Sequence, residues 1–166
     1  MSQKIINHQM IIDGKYTNSI TEKIIEIECP ANKRIFASVP RGNEADVDIA
    51  VKSSLKAFRS WSKVMPKERG KILLQIADAI EIEKEDIAKI IATETGNAIK
   101  TQARPEINLV VDIFRYFGGL SSELKGETIP LGEHVLSYTR REPLGVVGAI
   151  IPVSYTHLRA HETSNH

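Results

Sequence analysis

The chain has 166 residues, with 22 basic and 21 acidic side chains, and 42% of its residues are hydrophobic. This composition is typical of a soluble globular domain, and the balanced charge gives no indication of a nucleic-acid or membrane partner. Apolar runs are far shorter than the ~20 residues that a membrane span needs, and the N-terminus lacks the apolar region of a secretory signal. The single cysteine, Cys29, excludes an internal disulfide. We therefore expect a cytoplasmic protein.

Residues 10–39 are predicted to form a small antiparallel β unit. Asp13-Gly14 directly follows two isoleucines, and this dipeptide is typical of a type I′ hairpin turn. Two further extended runs, at residues 23–27 and 35–39, are each closed by a proline. They are predicted to be the remaining strands of the unit.

Three amphipathic helices are predicted to follow the β unit. Asn43 is the expected N-cap of the first helix, and Pro66 starts the second, whose apolar stripe continues to about Thr93. Pro105 opens the third helix. Near its end, Gly118-Gly119 indicates a close approach by another element. We interpret the apolar stripes of these helices as core rather than as a ligand site.

The last third of the chain contains three short extended runs. Residues 126–130 and 136–141 are predicted to be strands. Residues 146–151 carry no polar side chain, as expected of a strand that is covered on both faces of a parallel sheet. Such a strand requires neighbouring strands and covering helices, so we expect the chain to be the front part of a larger α/β protein.

One segment carries a family resemblance. It is Arg140-Arg141-Glu142-Pro143-Leu144-Gly145-Val146-Val147-Gly148-Ala149-Ile150-Ile151-Pro152. It resembles the NAD(P)-dependent aldehyde dehydrogenase superfamily just before its nucleotide-binding domain, and the resemblance covers about residues 11–152. It implies the truncated N-terminal part of that α/β fold: a small antiparallel β unit, amphipathic helices, strands of an oligomerisation arm and the first strand of a Rossmann-like domain. Residues 1–152 are therefore expected to be an incomplete domain.

The resemblance ends after Pro152. The family continues with Trp-Asn, whereas this chain continues with Val153 and Ser154. Residues 154–163 resemble translated sequencing-adapter sequence, so residues 153–166 are predicted to be a non-native, disordered tail. A zinc site is an alternative interpretation of the tail, because His157 and His161 would share one helical face beside Glu162. That order of residues misplaces the carboxylate of a metallopeptidase motif.

The resemblance also implies two binding sites. Ile150, Ile151 and Pro152 would begin the adenosine side of an NAD(P) pocket, at the carboxyl end of a strand, where α/β sheets bind ligands. A plain core strand is the alternative for either isoleucine. The backbone around Ile27 and the carboxylate of Glu94 would hold a structural monovalent cation through oxygen ligands. A solvated glutamate at a helix end is the favoured alternative, because the family usually has Asp there.

The implied activity is the oxidation of an aldehyde to a carboxylic acid with NAD or NADP. In the family a cysteine thiolate attacks the aldehyde, a hydride passes to the nicotinamide, and a glutamate assists hydrolysis of the thioester. We expect these catalytic groups beyond this chain and interpret Cys29 as structural. No catalytic residue is therefore predicted here, and the chain alone is expected to be inactive and to bind no cofactor well.

The partners follow from the same resemblance. A small aldehyde would be the substrate of the full-length parent, and strands near residues 126–142 would pair across subunits of a homo-oligomer. A hairpin within one subunit is the alternative for these strands. A different hypothesis for the whole chain is a stand-alone interaction module of helices and a β edge, without catalysis.

Overall fold

The computed structural model describes residues 5–150, in which five short strands are followed by a block of helices and then by two further strands. They are β1 (Ile6–Asn7), β2 (Met10–Ile12), β3 (Lys15–Thr17), β4 (Ile24–Cys29), β5 (Arg34–Pro40), α1 (Glu44–Trp61), α2 (Pro66–Ile82), α3 (Lys84–Thr95), a π-helical turn (Ile99–Ala103), α4 (Arg104–Leu120), β6 (Thr128–Pro130) and β7 (Leu136–Tyr138). The predicted tail at 153–166, with His157, His161 and Glu162, lies outside the described residues.

The β2–β3 hairpin confirms the predicted type I′ turn. Asp13 and Gly14 both have positive φ angles, 54° and 70°. Glycine adopts this backbone without a steric penalty, and aspartate tolerates it better than most residues. The turn aligns Met10 with Thr17, so the two strands pair in register.

A second sheet has the strand order β1-β5-β4. β4 is antiparallel to β5, as predicted, but β1 is parallel to β5. Both strand pairs within residues 10–39 are therefore antiparallel, as predicted, but they belong to two separate sheets rather than to one unit. The two-residue β1, which precedes residue 10, adds a parallel pair that was not predicted. Parallel strands need a long connection, which the intervening β2–β4 segment supplies.

The N-terminus of α1 is held by a polar network. The Asn43 side chain accepts a hydrogen bond from the Asp46 backbone N–H (3.0 Å), and the Asp46 carboxylate accepts one from the Asn43 N–H (2.9 Å). This capping box confirms Asn43 as the N-cap. Buried Asp46 also accepts hydrogen bonds from the Ser19 hydroxyl (2.6 Å) and the Ile20 N–H (3.0 Å). These bonds, the Ser19 bond above all, hold the pKa of Asp46 below its usual value.

The predicted second helix is two helices in the structure. α2 ends at Ile82 and α3 begins at Lys84, with Glu83 between them at φ −93° and ψ 6°. Glutamate is a good helix former, so helix propensity does not predict this break. The break coincides with a change in tertiary packing, because α2 packs mainly on α4 whereas α3 divides its contacts among the π-helical turn, α4 and β4. The prediction of one continuous helix to Thr93 is wrong.

The α2–α4 contact contains most of the helical core. Ala77, Ile107 and Val111 are buried, and α4 carries Pro105 in its first turn, as predicted. A Cβ atom added at Gly70 would lie 2.6 Å from the carbonyl oxygen of Gly118. The predicted close approach at Gly118 is thus confirmed, and α2 is the element that approaches.

The C-terminal part contains one hairpin and an irregular segment. β6 and β7 pair with each other antiparallel, with Ile129 opposite Ser137. Residues 146–150 form no strand, and the side chains of Val147 and Ile150 are 70% and 97% exposed. The prediction of a strand covered on both faces is therefore wrong for these residues. The physical reason is that no strand lies beside them within residues 5–150 to complete a hydrogen-bonded ladder.

Residues 5–150 include no helix that is both long and apolar enough to cross a membrane.

Candidate functional site

Ile27 of the predicted cation site lies on an edge strand, beside an irregularity. It is half-buried on β4 and pairs with Ala37, but the next residue, Glu28, pairs with Ile35. Phe36 is therefore left without a partner in the ladder, which is a β-bulge in β5. Within the described residues, the outer edge of β4 has no strand beside it. Backbone carbonyl groups on that edge are not used by a sheet ladder.

Glu94, the second predicted ligand, is exposed in the last turn of α3. Helix α3 contacts β4 and ends at Gly96, which has a left-handed conformation with φ 76°. A Cβ atom at Gly96 would lie 3.4 Å from Cβ of Pro30, directly after β4. The fold therefore brings the segment of Glu94 to the strand that carries Ile27.

This arrangement supplies few ligands from side chains. No group of three or more His, Cys, Asp or Glu residues in the described part of the chain could hold a metal ion. A cation between α3 and β4 would depend on backbone carbonyl oxygens and one carboxylate. Hard cations accept such oxygen ligands, and the low charge of this donor set suits a monovalent cation.

Ile150 is the one predicted cofactor-binding residue within the described range, and it lies outside the helices and strands. Ile150 follows the last strand, β7, by twelve residues and is almost fully exposed. Ile151 and Pro152 lie outside the described residues. The environment of Ile150 is therefore not a formed nucleotide pocket, because such pockets bury most of their ligand between apolar walls.

Cys29 is buried at the end of β4, where the chain turns toward β5. Its carbonyl oxygen accepts a hydrogen bond from the N–H of Lys33 at 2.8 Å. The Cys29 thiol is thus buried, and the carbonyl group of the same residue takes part in the turn between β4 and β5.

A polar cleft was not predicted from the sequence. It has a volume of about 430 Å³ and lies between β1 and the loop that follows β3. Its lining residues are Asn7, His8, Gln9, Asn18, Ser19, Glu22, Lys23, Ile24, Ser38 and Pro40. Three amide side chains of the cleft already take part in hydrogen bonds. Gln9 donates to Asn18 (3.0 Å), and the Ser38 hydroxyl donates to Asn7 (2.8 Å). No sequence signal indicated this cleft, because its residues come from separate segments without a motif.

Comparison with known proteins decides the family. The model of the aldehyde dehydrogenase family matches residues 16–160. The chain belongs to the aldehyde dehydrogenase family. This confirms the resemblance that the segment 140–152 indicated, and the mixed arrangement of strands and helices is that of one part of the aldehyde dehydrogenase fold.

Individual relatives show the extent of the likeness. The Aspergillus niger enzyme is 37% identical over 147 residues, which are 88% of this chain and 29% of that protein. An aldehyde dehydrogenase mutant from Bacillus cereus superposes with a TM-score of 0.79 at 32% identity, covering 82% of this chain and 28% of the other. PnpE, solved in complex with nicotinamide adenine dinucleotide, gives a TM-score of 0.75 at 32% identity, covering 79% and 27%. The chain thus spans 29% of the length of the curated relatives it matches.

Proposed function

We propose that this chain forms the N-terminal part of an NAD(P)-dependent aldehyde dehydrogenase that oxidises an aldehyde to a carboxylic acid. The observation that carries the proposal is the family match over residues 16–160. The NAD complex of the related PnpE supports a nicotinamide cofactor for the whole protein. A cytoplasmic location and a homo-oligomer built through strands near residues 126–142 belong to the same proposal.

In this proposal the chain has a structural role and contributes no catalytic group. In the whole enzyme, a cysteine thiolate attacks the aldehyde carbon, and the bound NAD(P)⁺ serves as hydride acceptor. Water then releases the carboxylic acid from the thioester and regenerates the thiol. None of these groups is assigned to residues 5–150, and the exposed Ile150 forms no cofactor pocket. We infer that the 166-residue chain alone is inactive and binds NAD(P) poorly.

The structural role centres on β4 and α3. Their contact would hold a monovalent cation through the backbone near Ile27 and the carboxylate of Glu94. Ile150, Ile151 and Pro152 would line the adenosine side of the cofactor only when the sheet that surrounds them is present. Both assignments rest on the family resemblance, and the cation site rests in addition on the contact between β4 and α3.

A chimera tests the function. Residues 5–150 replace the corresponding part of the Aspergillus niger enzyme, which matches this chain over 147 residues, and NADH formation is followed with a panel of aldehydes. We expect the folded chimera to oxidise at least one aldehyde that the parent enzyme accepts. A folded chimera without activity on any of them would contradict the proposal. The isolated chain is the control, and NADH formation by it would refute its predicted inactivity.

A non-catalytic interaction module is the second candidate, and exposed apolar side chains favour it. Large hydrophobic residues on α1, α4 and the segment after β7 are open to solvent. Exposed apolar patches of this kind mark interaction surfaces. The two candidates differ in what the chimera does, because a module specialised for another partner would not restore aldehyde oxidation.

A further inference from the structure

The charges of the chain are balanced overall but segregated along the sequence. Residues 52–71 hold seven of the 22 basic residues and one of the 21 acidic residues. They cover the second half of α1, the connection to α2 and the first residues of α2. A surface of one sign can therefore exist locally although the chain as a whole is nearly neutral.

Five of these basic side chains have no anionic partner within residues 5–150. All five are exposed, and no ion pair in the described part of the chain involves them. They are Lys52, Lys56, Arg59, Lys63 and Lys67, and we call them the basic stripe. The other two basic residues are engaged, because Lys71 pairs with Glu68 at 2.9 Å and Arg69 donates to the Val64 carbonyl. The basic stripe thus leaves five positive charges available to a ligand.

Three members of the basic stripe lie on one side of α1. Lys52, Lys56 and Arg59 are spaced at i, i+4 and i+7, which places them in one row along the helix. The rise per residue of an α-helix makes this row about 10 Å long. Lys63 lies in the connection after α1, and Lys67 is the second residue of α2. The positive charge therefore continues from α1 through the connection to the start of α2.

The stability of α1 does not account for this row. Cations stabilise a helix mainly in its last turn, near the negative end of its dipole, and Arg59 is the basic residue there. Lys52 and Lys56 form a like-charge pair at i, i+4, which destabilises a helix. An anionic ligand therefore explains the row better than the helix itself does.

The position of nearby carboxylates favours a narrow anionic polymer over a flat anionic membrane. Glu44 and Asp48 are exposed on the N-terminal half of α1, and Asp48 lies about one turn before Lys52 on the same side. A membrane surface along α1 would meet these carboxylates. A nucleic-acid backbone can follow the basic stripe from Lys52 to Lys67 and leave the carboxylates in water.

We propose that the basic stripe binds the phosphate backbone of a nucleic acid without reading its sequence. Four of its five members are lysines, which present a point charge rather than a two-pronged hydrogen-bond donor. Such charges suit phosphate contacts, which carry no sequence information. The proposal goes beyond the proposed function and does not rest on it, because neither an aldehyde nor NAD(P) takes part.

Fluorescence anisotropy with a labelled DNA duplex of mixed sequence tests the binding on the full 166-residue chain. We expect binding in about 50 mM salt that weakens linearly on a double-logarithmic plot as salt is added. The triple substitution Lys52→Gln, Lys56→Gln and Lys63→Gln should weaken it at least about tenfold and lower the salt slope by about 0.9 for each lost phosphate contact. Glutamine is a good helix former, and circular dichroism confirms that α1 is retained.

A matched control removes the same net charge elsewhere. It replaces three exposed lysines by glutamine, each of which pairs with a carboxylate at 3.3 Å or less. They are Lys33, Lys89 and Lys125. Because salt screens the charges of residues that do not contact the duplex, this variant should change the affinity by less than about twofold.

Three results would overturn the proposal. The first is no binding of the duplex by the unchanged chain in about 50 mM salt, and the second is an equal loss of affinity in the two triple variants. The third is binding to vesicles that contain phosphatidylserine without binding to DNA, which would indicate an anionic membrane as the partner.

The chimera extends the test to the whole fold. DNA binding by the chimera with the same dependence on Lys52, Lys56 and Lys63 would support the proposal, and its absence there would overturn the proposal for the whole enzyme. Aldehyde oxidation by a chimera that binds no DNA would leave the proposed function intact. DNA binding by a chimera without aldehyde oxidation would leave the basic stripe intact and remove the proposed function.

Discussion

The α2–α4 pair and residues 144–150 differ in what their apolar side chains contact. In the helix pair, Ala77 and Val111 are buried by elements that lie close in the same chain. In the segment, Leu144 and Ile150 are almost fully exposed although the sequence is equally apolar. An apolar run therefore predicts a need for burial, whereas the available neighbours decide whether that burial occurs.

Removing a buried side chain should show this difference most strongly. Ile107→Ala is expected to destabilise the chain by about 2–4 kcal/mol, because it leaves a cavity between α4 and its neighbours. Ile150→Ala, which removes the same atoms from the exposed segment, should change stability by less than ~0.5 kcal/mol. Urea unfolding followed by circular dichroism measures both. Similar losses for the two variants would show that the segment is packed.

The glycine contact between the helices gives a second test. Gly70→Ala should cost about 1–3 kcal/mol, because its Cβ would lie 2.6 Å from the Gly118 carbonyl and force the helices apart. Gly119→Ala is the matched control, since nothing lies within 4 Å of its added Cβ. That variant should be neutral or stabilising by up to about 1 kcal/mol. If both variants behaved alike in urea unfolding, the close crossing would be refuted.

The cap of α1 should give a smaller effect. Asn43→Ala removes the acceptor for the Asp46 N–H and is expected to cost about 1 kcal/mol. Asn43→Asp keeps an acceptor oxygen and serves as the conservative control, with a clearly smaller loss. Thermal unfolding of the three proteins at neutral pH distinguishes them. A loss of equal size for both substitutions would argue against the capping role.

The Asp46 network predicts a dependence on pH. Its hydrogen bonds, that from Ser19 first, lower the folded-state pKa of Asp46. Ionised Asp46 therefore stabilises the fold above the unfolded-state pKa near ~4, and this contribution disappears as the pH falls through the lower folded-state pKa. The quantity to measure is the free energy of unfolding of the unchanged chain minus that of the Asp46→Asn variant. This difference should be constant above about pH 5 and should shrink in more acidic solution. A difference that grows on acidification would contradict this assignment.

Features that depend on residues close together in the sequence could be predicted from the sequence. Asp13-Gly14 indicated the hairpin turn, and Asn43 indicated the start of α1, because turn and cap chemistry act within about four residues. Gly118 indicated a close crossing, since glycine in a helix has a local cost that packing must offset.

Features that depend on distant residues were missed. The two-residue β1 has no periodic signal, so its parallel pairing with β5 was not predicted. The break at Glu83 lies where α3 adds contacts with β4 and the π-helical turn to the α4 contact that it shares with α2, and helix propensity contains no information on such contacts. The polar cleft beside β1 joins residues from several segments. For the candidate site, the family resemblance named Ile27 and Glu94, and the fold showed that their elements, β4 and α3, are in contact.

Amide hydrogen exchange on the isolated chain and on the chimera is the sharpest test of whether missing neighbours leave residues 144–150 exposed. In the isolated chain, amides in the α2–α4 pair should be protected, and those of residues 144–150 should exchange as in an unfolded peptide. In the chimera, where the rest of the aldehyde dehydrogenase fold is present, residues 144–150 should become protected while the α2–α4 pair changes little. Equal protection of residues 144–150 in both proteins would contradict this explanation.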